Sequence, residues 1–249
     1  MDDERLRPGS IAQTLAGEAD LRVGAVVREA WSHLPGIKLP MLAAGVLVYG
    51  GVLLIIGFFG PLLEADQPGF NSVFQLVAQI AVSALLYPFL AGVFLFGLRR
   101  SQGAEVRFDL LFSQYSRVIP LLLVGLLQSF AVTLGLLILI LPGLYLAQAL
   151  SLSVALKAER DLPVFECLAL SMRLVNKAFW RVVLLSLISG LLILLGFLSV
   201  IGWIWTLPWA ALIFSITYRQ LAGNADGSTG TGSPPSGGGR ERVKGIVEY

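Results

Sequence analysis

The apolar residues of this chain are grouped in long runs that short polar segments interrupt. An α-helix needs about 20 mostly apolar residues to cross the roughly 30 Å hydrocarbon core of a bilayer. Six runs approach or exceed that length, so the pattern predicts an all-α, polytopic membrane helix bundle with six spans. The predicted spans are residues 39–62, 73–98, 118–141, 142–156, 182–201 and 204–218.

Two pairs of predicted spans have almost no polar residue between them. The third and fourth abut at residues 141–143, and the fifth and sixth abut at residues 202–203. Because the fourth and sixth are short, each pair could instead form one long tilted helix. Pro142 and Pro208 each remove a backbone donor near the middle of their run, and Gly143 supplies a turn residue. We therefore favour two helices joined by a tight turn in each run.

Lys and Arg residues indicate the orientation of the spans, because these residues are retained on the cytoplasmic side of a membrane. All 18 fall in four segments: five before the first span, four between the second and third, five between the fourth and fifth, and four after the sixth. The opposite loops contain no basic residue, and one of them carries Glu64 and Asp66. The pattern predicts that both termini are cytoplasmic. It also supports the number of spans, because a wrong number would scatter basic residues to both sides.

The order of the spans is consistent with a helical hairpin that is used three times in the same orientation. Similar apolar runs follow Arg117 and Arg181, and Pro88 and Pro208 each lie 11 residues before an arginine. True repetition would give three helical hairpins packed around each other. The alternative is that leucine-rich spans resemble one another through composition alone, and the sequence leaves both interpretations open.

Each predicted hairpin follows a cytosolic stretch that contains aromatic and charged residues: 26–31, 108–115 and 164–180. The third is the clearest amphipathic helix, with Glu166 and Arg173 opposite an apolar face. That face consists of Phe165, Leu168, Met172, Val175 and Phe179. The pattern fits an interfacial helix along the inner leaflet. It fits equally well a helix that packs on the spans as core.

Composition agrees with a bilayer as the solvent of this chain. Hydrophobic residues make up 56% of the 249 residues and charged residues 14%, with a mean hydropathy of +0.79. An average soluble domain is about 25% charged. The balance excludes a disordered protein and argues against a soluble one. The formal net charge of +2 is too small to indicate a nucleic-acid partner.

Three regions follow from these patterns. Residues 1–37 are predicted to form a cytosolic N-terminal segment with an interfacial helix, residues 38–222 the six-span domain, and residues 223–249 a flexible cytosolic tail. The tail is rich in Gly and Ser, and such a composition cannot offset the entropy lost on ordering. Its tip, residues 240–249, alternates charged with β-branched residues. This tip fits either a strand added to the sheet edge of a partner or a solvated terminus.

Residues that could carry catalysis are scarce. His33 is the only histidine and Cys167 the only cysteine, so the sequence offers neither a catalytic triad nor a Cys/His metal cluster. Metalloprotease, P-loop and dinucleotide-binding motifs are absent from the sequence. We therefore expect no enzymatic activity, no cofactor and no metal. Cys167 is expected to be an inert small hydrophobe, with palmitoylation or redox sensing as the alternative.

Neutral polar residues within the spans give the only candidate site. No Asp, Glu, Lys or Arg lies deep within a predicted span, which argues against a proton relay or a charge-driven carrier. Gln75, Gln79 and Ser83 share one helix face at i, i+4 and i+8. Together with Gln128 and Gln148 they form a candidate polar cavity for a small neutral solute or a lipid headgroup. The alternative is that these amides form hydrogen bonds between helices.

Several segments resemble a superfamily of bacterial six-helix membrane proteins. The likeness rests on the sequence from Leu141-Pro-Gly through Asp161-Leu-Pro, on residues 170–180, on Gly202-Trp-Ile-Trp-Thr-Leu-Pro-Trp and on residues 88–125. This superfamily includes domains of unknown function and the membrane domain fused to some glycerophosphodiester phosphodiesterases. The resemblance covers roughly residues 85–220 and implies six spans in a bacterial inner membrane. The phosphodiesterase catalytic motifs have no counterpart here, so the resemblance implies no hydrolytic activity.

These observations lead to two functional hypotheses. The first is a multi-pass scaffold or regulatory component without a catalytic site, which binds a protein partner at the inner leaflet through the C-terminal tail. The second is a transporter or flippase for a small neutral solute or a lipid. In both, membrane lipids surround the protein, and the expected location is the bacterial cytoplasmic (inner) membrane.

Overall fold

The computed structural model describes residues 8–18, 21–35, 37–63, 68–199 and 202–223. Within these residues the fold is all-helical and contains no strand, which confirms the predicted fold class at that level. The helices are α1 (Ile11–Ala16), α2 (Val23–Ser32), α3 (Lys38–Leu63), α4 (Pro68–Ser101), a 3-10 helix (Phe108–Arg117), α5 (Val118–Ile138), α6 (Ile140–Ala149), α7 (Ser153–Arg160), α8 (Val164–Lys177), α9 (Phe179–Leu198) and α10 (Trp203–Ala222).

Five segments of the described chain are long and apolar enough to cross a membrane. They are Lys38–Phe58, Gln75–Ser101, Phe108–Ile138, Ile140–Arg160 and Phe179–Leu198. Several such helices indicate a multi-pass membrane protein. The sixth predicted span corresponds to α10, which is not among the five. Polar residues in its second half, among them Arg219 and Gln220, lower the hydropathy of α10, and both of these side chains are buried by protein.

Helix α10 lies at the centre of the bundle, where it packs against α9, α4 and α2. Leu212, Ile213 and Ile216 on this helix are at most 1% exposed. The close contact with α4 depends on Gly97, because a Cβ atom there would lie 2.5 Å from Ser215 Oγ. Ser215 in turn donates a hydrogen bond to the Phe94 carbonyl at 3.1 Å. A helix enclosed by protein in this way needs less apolar surface than one that faces lipid.

The chain breaks between α5 and α6 at Leu139, three residues before the predicted turn at Pro142 and Gly143. Leu139 has an extended backbone, with φ −159° and ψ 147°. Pro142 instead lies in the first turn of α6, where the missing N–H would have no intrahelical partner. The two helices then pack side by side through glycine, since a Cβ atom at Gly135 would lie 2.9 Å from Gly143 Cα.

Helix α8 forms as predicted but buries a different face. Its buried side chains are Cys167, Leu170, Ser171, Leu174 and Val175, and only Val175 belongs to the predicted apolar face. Phe165 is 74% exposed. The buried face carries small residues that approach other backbone closely: Ser171 Oγ donates to the Ala149 carbonyl at 2.8 Å and accepts from the Leu152 amide at 3.2 Å. Helix α8 thus packs on the bundle and leaves an aromatic edge outside.

The end of α10 is held by segments from the first part of the chain and from α7. The Gly9 amide donates to the Arg219 carbonyl at 3.2 Å, and the Thr14 hydroxyl donates to the Leu221 carbonyl at 2.7 Å. Arg160 Nη2 donates to the Ala222 carbonyl at 2.7 Å. These bonds satisfy carbonyls that a helix end leaves open. Residues 9–14 and the end of α10 therefore lie on the same face of the molecule.

Three sequence predictions fall mostly outside the described residues. These are the tail at 223–249, of which Gly223 alone is described, the loop with Glu64 and Asp66, and the first seven residues of the N-terminal segment. The boundary residues Lys38 and Ala222 coincide with the start of α3 and the end of α10.

Candidate ligand cavity

A cavity of about 540 Å³ lies between α4, α5, α9 and α10, with the segment from Ser151 to Ala155 along one side. Its volume falls in the range of about 300–1,000 Å³ that is typical of small-molecule sites. Helix α4 contributes Leu90 and Phe94, and helix α9 contributes Leu185 and Ile193. Most of the lining is therefore aliphatic or aromatic.

The polar groups that line the cavity are all neutral. They come from five different elements and consist of Tyr87, Gln128, Ser151, Ser186, Ser189 and Thr217. Among the described residues that form its wall there is no Asp, Glu, Lys, Arg or His. A ligand with a net charge would lose its hydration here without gaining an opposite charge, which costs several kcal/mol or more. The site therefore selects against ions.

Two of these polar groups carry a buried oxygen without a partner. Gln128 Oε1 and Ser151 Oγ have no hydrogen-bond partner in the part of the chain that the structure describes. Leaving a buried polar atom unpaired costs about 1–3 kcal/mol. Their neighbours are satisfied: Thr217 Oγ1 donates to the Ile213 carbonyl at 2.7 Å, and Ser186 Oγ donates to Gln148 Oε1 at 2.9 Å. Each unpaired oxygen exposes less than 1 Å² of surface, so both are enclosed by protein and do not lie on the open surface of the cavity.

The hydroxyl of Tyr87 fixes one wall of the cavity by joining α4 to α5. It donates to the Gly125 carbonyl at 3.1 Å and lies 2.9 Å from Ser129 Oγ. The absence of a side chain at Gly125 makes room for the ring, since a Cβ atom there would lie 2.3 Å from it. The Tyr87 ring is therefore held in place at the edge of the cavity.

The cavity opens sideways between α4 and α9. Leu90, on its α4 side, is 54% exposed, and Gly190, on its α9 side, is also exposed. A Cβ atom added to Gly190 would meet nothing within 4 Å. The neighbouring residues Leu187 and Leu191 on α9 are 66% and 54% exposed. The opening is therefore bordered by the apolar surface that faces lipid in a membrane protein.

The residues of the predicted polar cavity are separated in the structure. Gln75 and Gln79 are exposed on the first half of α4, and Ser83 is 7% exposed but does not line the cavity. Gln128 lines it, and Gln148 contacts it through the hydrogen bond from Ser186. The structure thus brings Gln128 and Gln148 to the same region and leaves the three α4 residues apart from them.

Sequence reasoning missed the groups that complete the wall, namely Tyr87, Ser186, Ser189 and Thr217. Serine and threonine on leucine-rich helices are common packing residues, so they carry little signal by themselves. Gln128 and Ser151 come together only when α5 packs beside the turn that joins α6 to α7. The nearest signal was the presence of glutamine on a span whose other residues are almost all apolar.

Elsewhere, the described residues contain no group of three or more His, Cys, Asp or Glu that could hold a metal ion. Cys167 is fully buried, with its thiol 3.5 Å from the Leu162 carbonyl. Burial raises the pKa of the Cys167 thiol to about 12. The thiol is thus protonated at neutral pH, which is unfavourable for metal binding or nucleophilic attack.

Comparison of the chain with protein-family models, characterised proteins and solved structures finds no match. The resemblance of residues 85–220 to bacterial six-helix membrane proteins stays a prediction from the sequence.

Proposed function

We propose that this protein is a multi-pass integral membrane protein that takes a neutral, mostly apolar ligand from the bilayer into the cavity between α4, α5, α9 and α10. The observation that carries the proposal is a ligand-sized, uncharged cavity with its opening on the lipid-facing side of an apolar helix bundle. Of the two functions considered from the sequence, this cavity supports the carrier or flippase for a lipid. We propose no catalytic activity.

The proposal includes a topology of six spans in a bacterial inner membrane, with both termini in the cytoplasm. Helix α10 would be the sixth span, shielded from lipid along much of its length by α9, α4 and α2. The segregation of the basic residues supports this orientation. So does the hydrogen bond between Gly9 and Arg219, because an even number of spans returns the chain to the side where it began.

Photocrosslinking tests ligand binding directly. The protein is reconstituted in vesicles with a monoacylglycerol that carries a diazirine on its acyl chain, and adducts are located by mass spectrometry. We expect adducts on cavity residues such as Phe94 and Ile193, in addition to adducts on the outer face of α3. Adducts confined to outer faces would show that the cavity holds no lipid.

A blocking variant makes this test specific. Gly190→Phe places a ring at the opening, where the backbone has free space, and should remove the adducts inside the cavity. Gly45→Phe is the matched control, because Gly45 on α3 also has nothing within 4 Å of an added Cβ atom but is not a cavity residue. Equal cavity labelling in both variants would contradict the proposed route of entry.

The scaffold function predicted from the sequence depends on residues 223–249, and residues 224–249 lie outside the described residues. It therefore stays a prediction. A pull-down that compares the full chain with a version ending at Ala222 tests it, and identical sets of captured proteins would argue against a role for the tail.

A further inference from the structure

We propose that the outward side of α8 binds anionic phospholipids at the boundary between the hydrocarbon and the headgroups of the bilayer. The inference is independent of the cavity and goes beyond the proposed function, since it concerns how the bundle contacts the surrounding membrane. It rests on three strips of side chains around α8 and on the aromatic and basic residues at the start of α9.

Helix α8 carries three strips whose centres lie about a third of a turn apart, because successive residues of an α-helix are turned by about 100°. One strip packs on the bundle and holds the buried residues Cys167, Leu170, Ser171, Leu174 and Val175. The second strip is apolar, and the third carries charged side chains. A surface helix of a water-soluble protein needs only a buried apolar strip and a polar one. The apolar strip outside the bundle therefore requires another cover.

The apolar strip consists of Phe165, Leu168 and Met172. These residues follow the i, i+3 and i+7 spacing of one helix face. Phe165 is 74% exposed, and Leu168 and Met172 are partly exposed. Trp180, in the first turn of α9, is 80% exposed. Tryptophan is enriched where a membrane protein crosses from hydrocarbon to headgroups, so these aromatic residues indicate that depth.

The charged strip consists of Glu166, Arg173 and Lys177. Arg173 and Lys177 are exposed, and so is Arg181 in the first turn of α9. Glu166 lies in the first turn of α8, where a carboxylate stabilises the partial positive charge of the helix N-terminus. Three basic side chains against one carboxylate give this side of the protein a positive charge, which is complementary to lipid phosphates.

A bilayer surface matches both exposed strips at once. An interfacial helix buries its apolar face at the boundary of the acyl chains while its Lys and Arg side chains reach the anionic headgroups. Water would leave Phe165 uncovered. The proposed topology places this segment on the cytoplasmic side, so the leaflet concerned is the inner one.

Fluorescence quenching by brominated lipids locates the two exposed strips. Phe165→Cys and Lys177→Cys are each made in a Cys167→Ala background, labelled with bimane and reconstituted in vesicles of phosphatidylcholine brominated in the acyl chain. We expect strong quenching of bimane at position 165 and weak quenching at position 177. Equal quenching at the two positions would overturn the proposal, since it would place both strips in hydrocarbon or both outside it.

The preference for an anionic headgroup is measured with bimane on Ala169→Cys, at an exposed position of α8 between the two strips. Two preparations of equimolar phosphatidylglycerol and phosphatidylcholine differ only in which lipid is brominated. We expect brominated phosphatidylglycerol to quench more, with a relative affinity of about fivefold. That ratio corresponds to about 1 kcal/mol, the usual contribution of one basic residue near an anionic surface.

A double variant assigns the preference to the charged strip. Arg173→Gln/Lys177→Gln in the same labelled chain should bring the two lipids to equal affinity while both still quench. These side chains are exposed, so the fold should be retained. Arg107→Gln is the matched control and should keep the preference, because the Arg107 side chain is 86% exposed but lies before the 3-10 helix and not on α8.

The failures of this inference are separate from those of the proposed function. Equal affinity of the two lipids in the parent, or a preference that survives the double substitution, would overturn the assignment to anionic lipid. Neither result changes the labelling of the cavity, which photocrosslinking measures independently.

Discussion

The guanidinium of Arg219 near the end of α10 is paired with the carboxylate of Glu29 on α2, at 2.5 Å and across 190 positions of sequence. Both side chains are 4% exposed. Arg219 also donates to the carbonyl of Ser101 at the end of α4. One buried cation therefore links the ends of α10 and α4 to the N-terminal helix α2.

Breaking this pair should destabilise the bundle strongly. Arg219→Met leaves the Glu29 carboxylate buried without its counter-charge, and loss of one partner of a buried pair costs about 3–5 kcal/mol. The double variant Glu29→Leu/Arg219→Met removes both charges and should be clearly more stable than Arg219→Met alone. Thermal unfolding in detergent, followed by circular dichroism, measures the difference. A double variant that loses the sum of the two single effects would show that the pair is not coupled.

Acidification should weaken the same contact. Burial by itself would raise the pKa of Glu29, but the nearby His33, whose Nε2 lies 3.8 Å from Glu29 Oε1, and the charge of Arg219 outweigh it and lower the pKa below its ordinary value of 4.5. A carboxylate with a lowered pKa in the folded state stabilises that state above the pKa of the unfolded chain. The stabilisation by the ionised Glu29 carboxylate is therefore constant from neutral pH down to about pH 4.5. It is lost as the pH falls further, through the pKa that Glu29 has in the folded state.

The measurement is the thermal midpoint as a function of pH in wild type and in Glu29→Gln. We expect the wild-type midpoint to exceed that of the variant at pH 7 and the two curves to converge as the pH falls below 4.5 through the lowered pKa of Glu29. A constant difference down to pH 3 would show that the ionised Glu29 carboxylate does not contribute to stability.

Much of the helical architecture could be predicted from the sequence, because an apolar run of about 20 residues indicates a helix long enough to cross a membrane. The exact break between α5 and α6 could not, since Pro142 is compatible both with a turn and with the first turn of a helix. The face of α8 that packs on the bundle could not be predicted either. Apolar residues occupy both sides of that helix, and only contact with the Ala149 carbonyl shows that the Ser171 side is inside.

The candidate site was less predictable. Glutamine on an apolar span is the pattern that singles out Gln128 and Gln148 in the sequence. The i, i+4, i+8 pattern of Gln75, Gln79 and Ser83 describes one helix face and not what covers it. In the structure Gln75 and Gln79 are exposed, and none of the three residues lines the cavity. The packing of α4, α5, α9 and α10 determines which polar groups line the cavity. These contacts join residues far apart in the chain, and a single sequence gives no measure of them.

Glycine at position 92 should be essential for packing of the 3-10 helix on α4. A Cβ atom at Gly92 would lie 2.0 Å from the carbonyl oxygen of Leu111, and backbone cannot move aside as a side chain can. We expect Gly92→Ala to lower the free energy of unfolding by about 1–3 kcal/mol, the usual cost of overpacking.

Gly45→Ala on α3 provides the control for Gly92→Ala. An added Cβ atom at Gly45 meets nothing within 4 Å, and alanine favours helix by up to about 1 kcal/mol. Unfolding in a denaturing detergent, with both variants measured against the parent, gives the comparison. Equal stability of the two alanine variants would show that α4 and the 3-10 helix do not approach as closely as the structure indicates.

Cys167 should be unreactive in the folded protein and reactive after unfolding. The thiol is fully buried and its pKa is raised to about 12, whereas alkylating reagents attack the thiolate. We expect a membrane-permeant maleimide at pH 7.5 to label the folded chain negligibly and the unfolded chain completely.

The matched control for Cys167 is Ala169→Cys in a Cys167→Ala background, because Ala169 lies on the exposed side of the same helix. That variant should react rapidly while folded. Rapid labelling of the native Cys167 would mean that α8 detaches from the bundle, and it would favour a role for the thiol in lipid attachment or redox sensing.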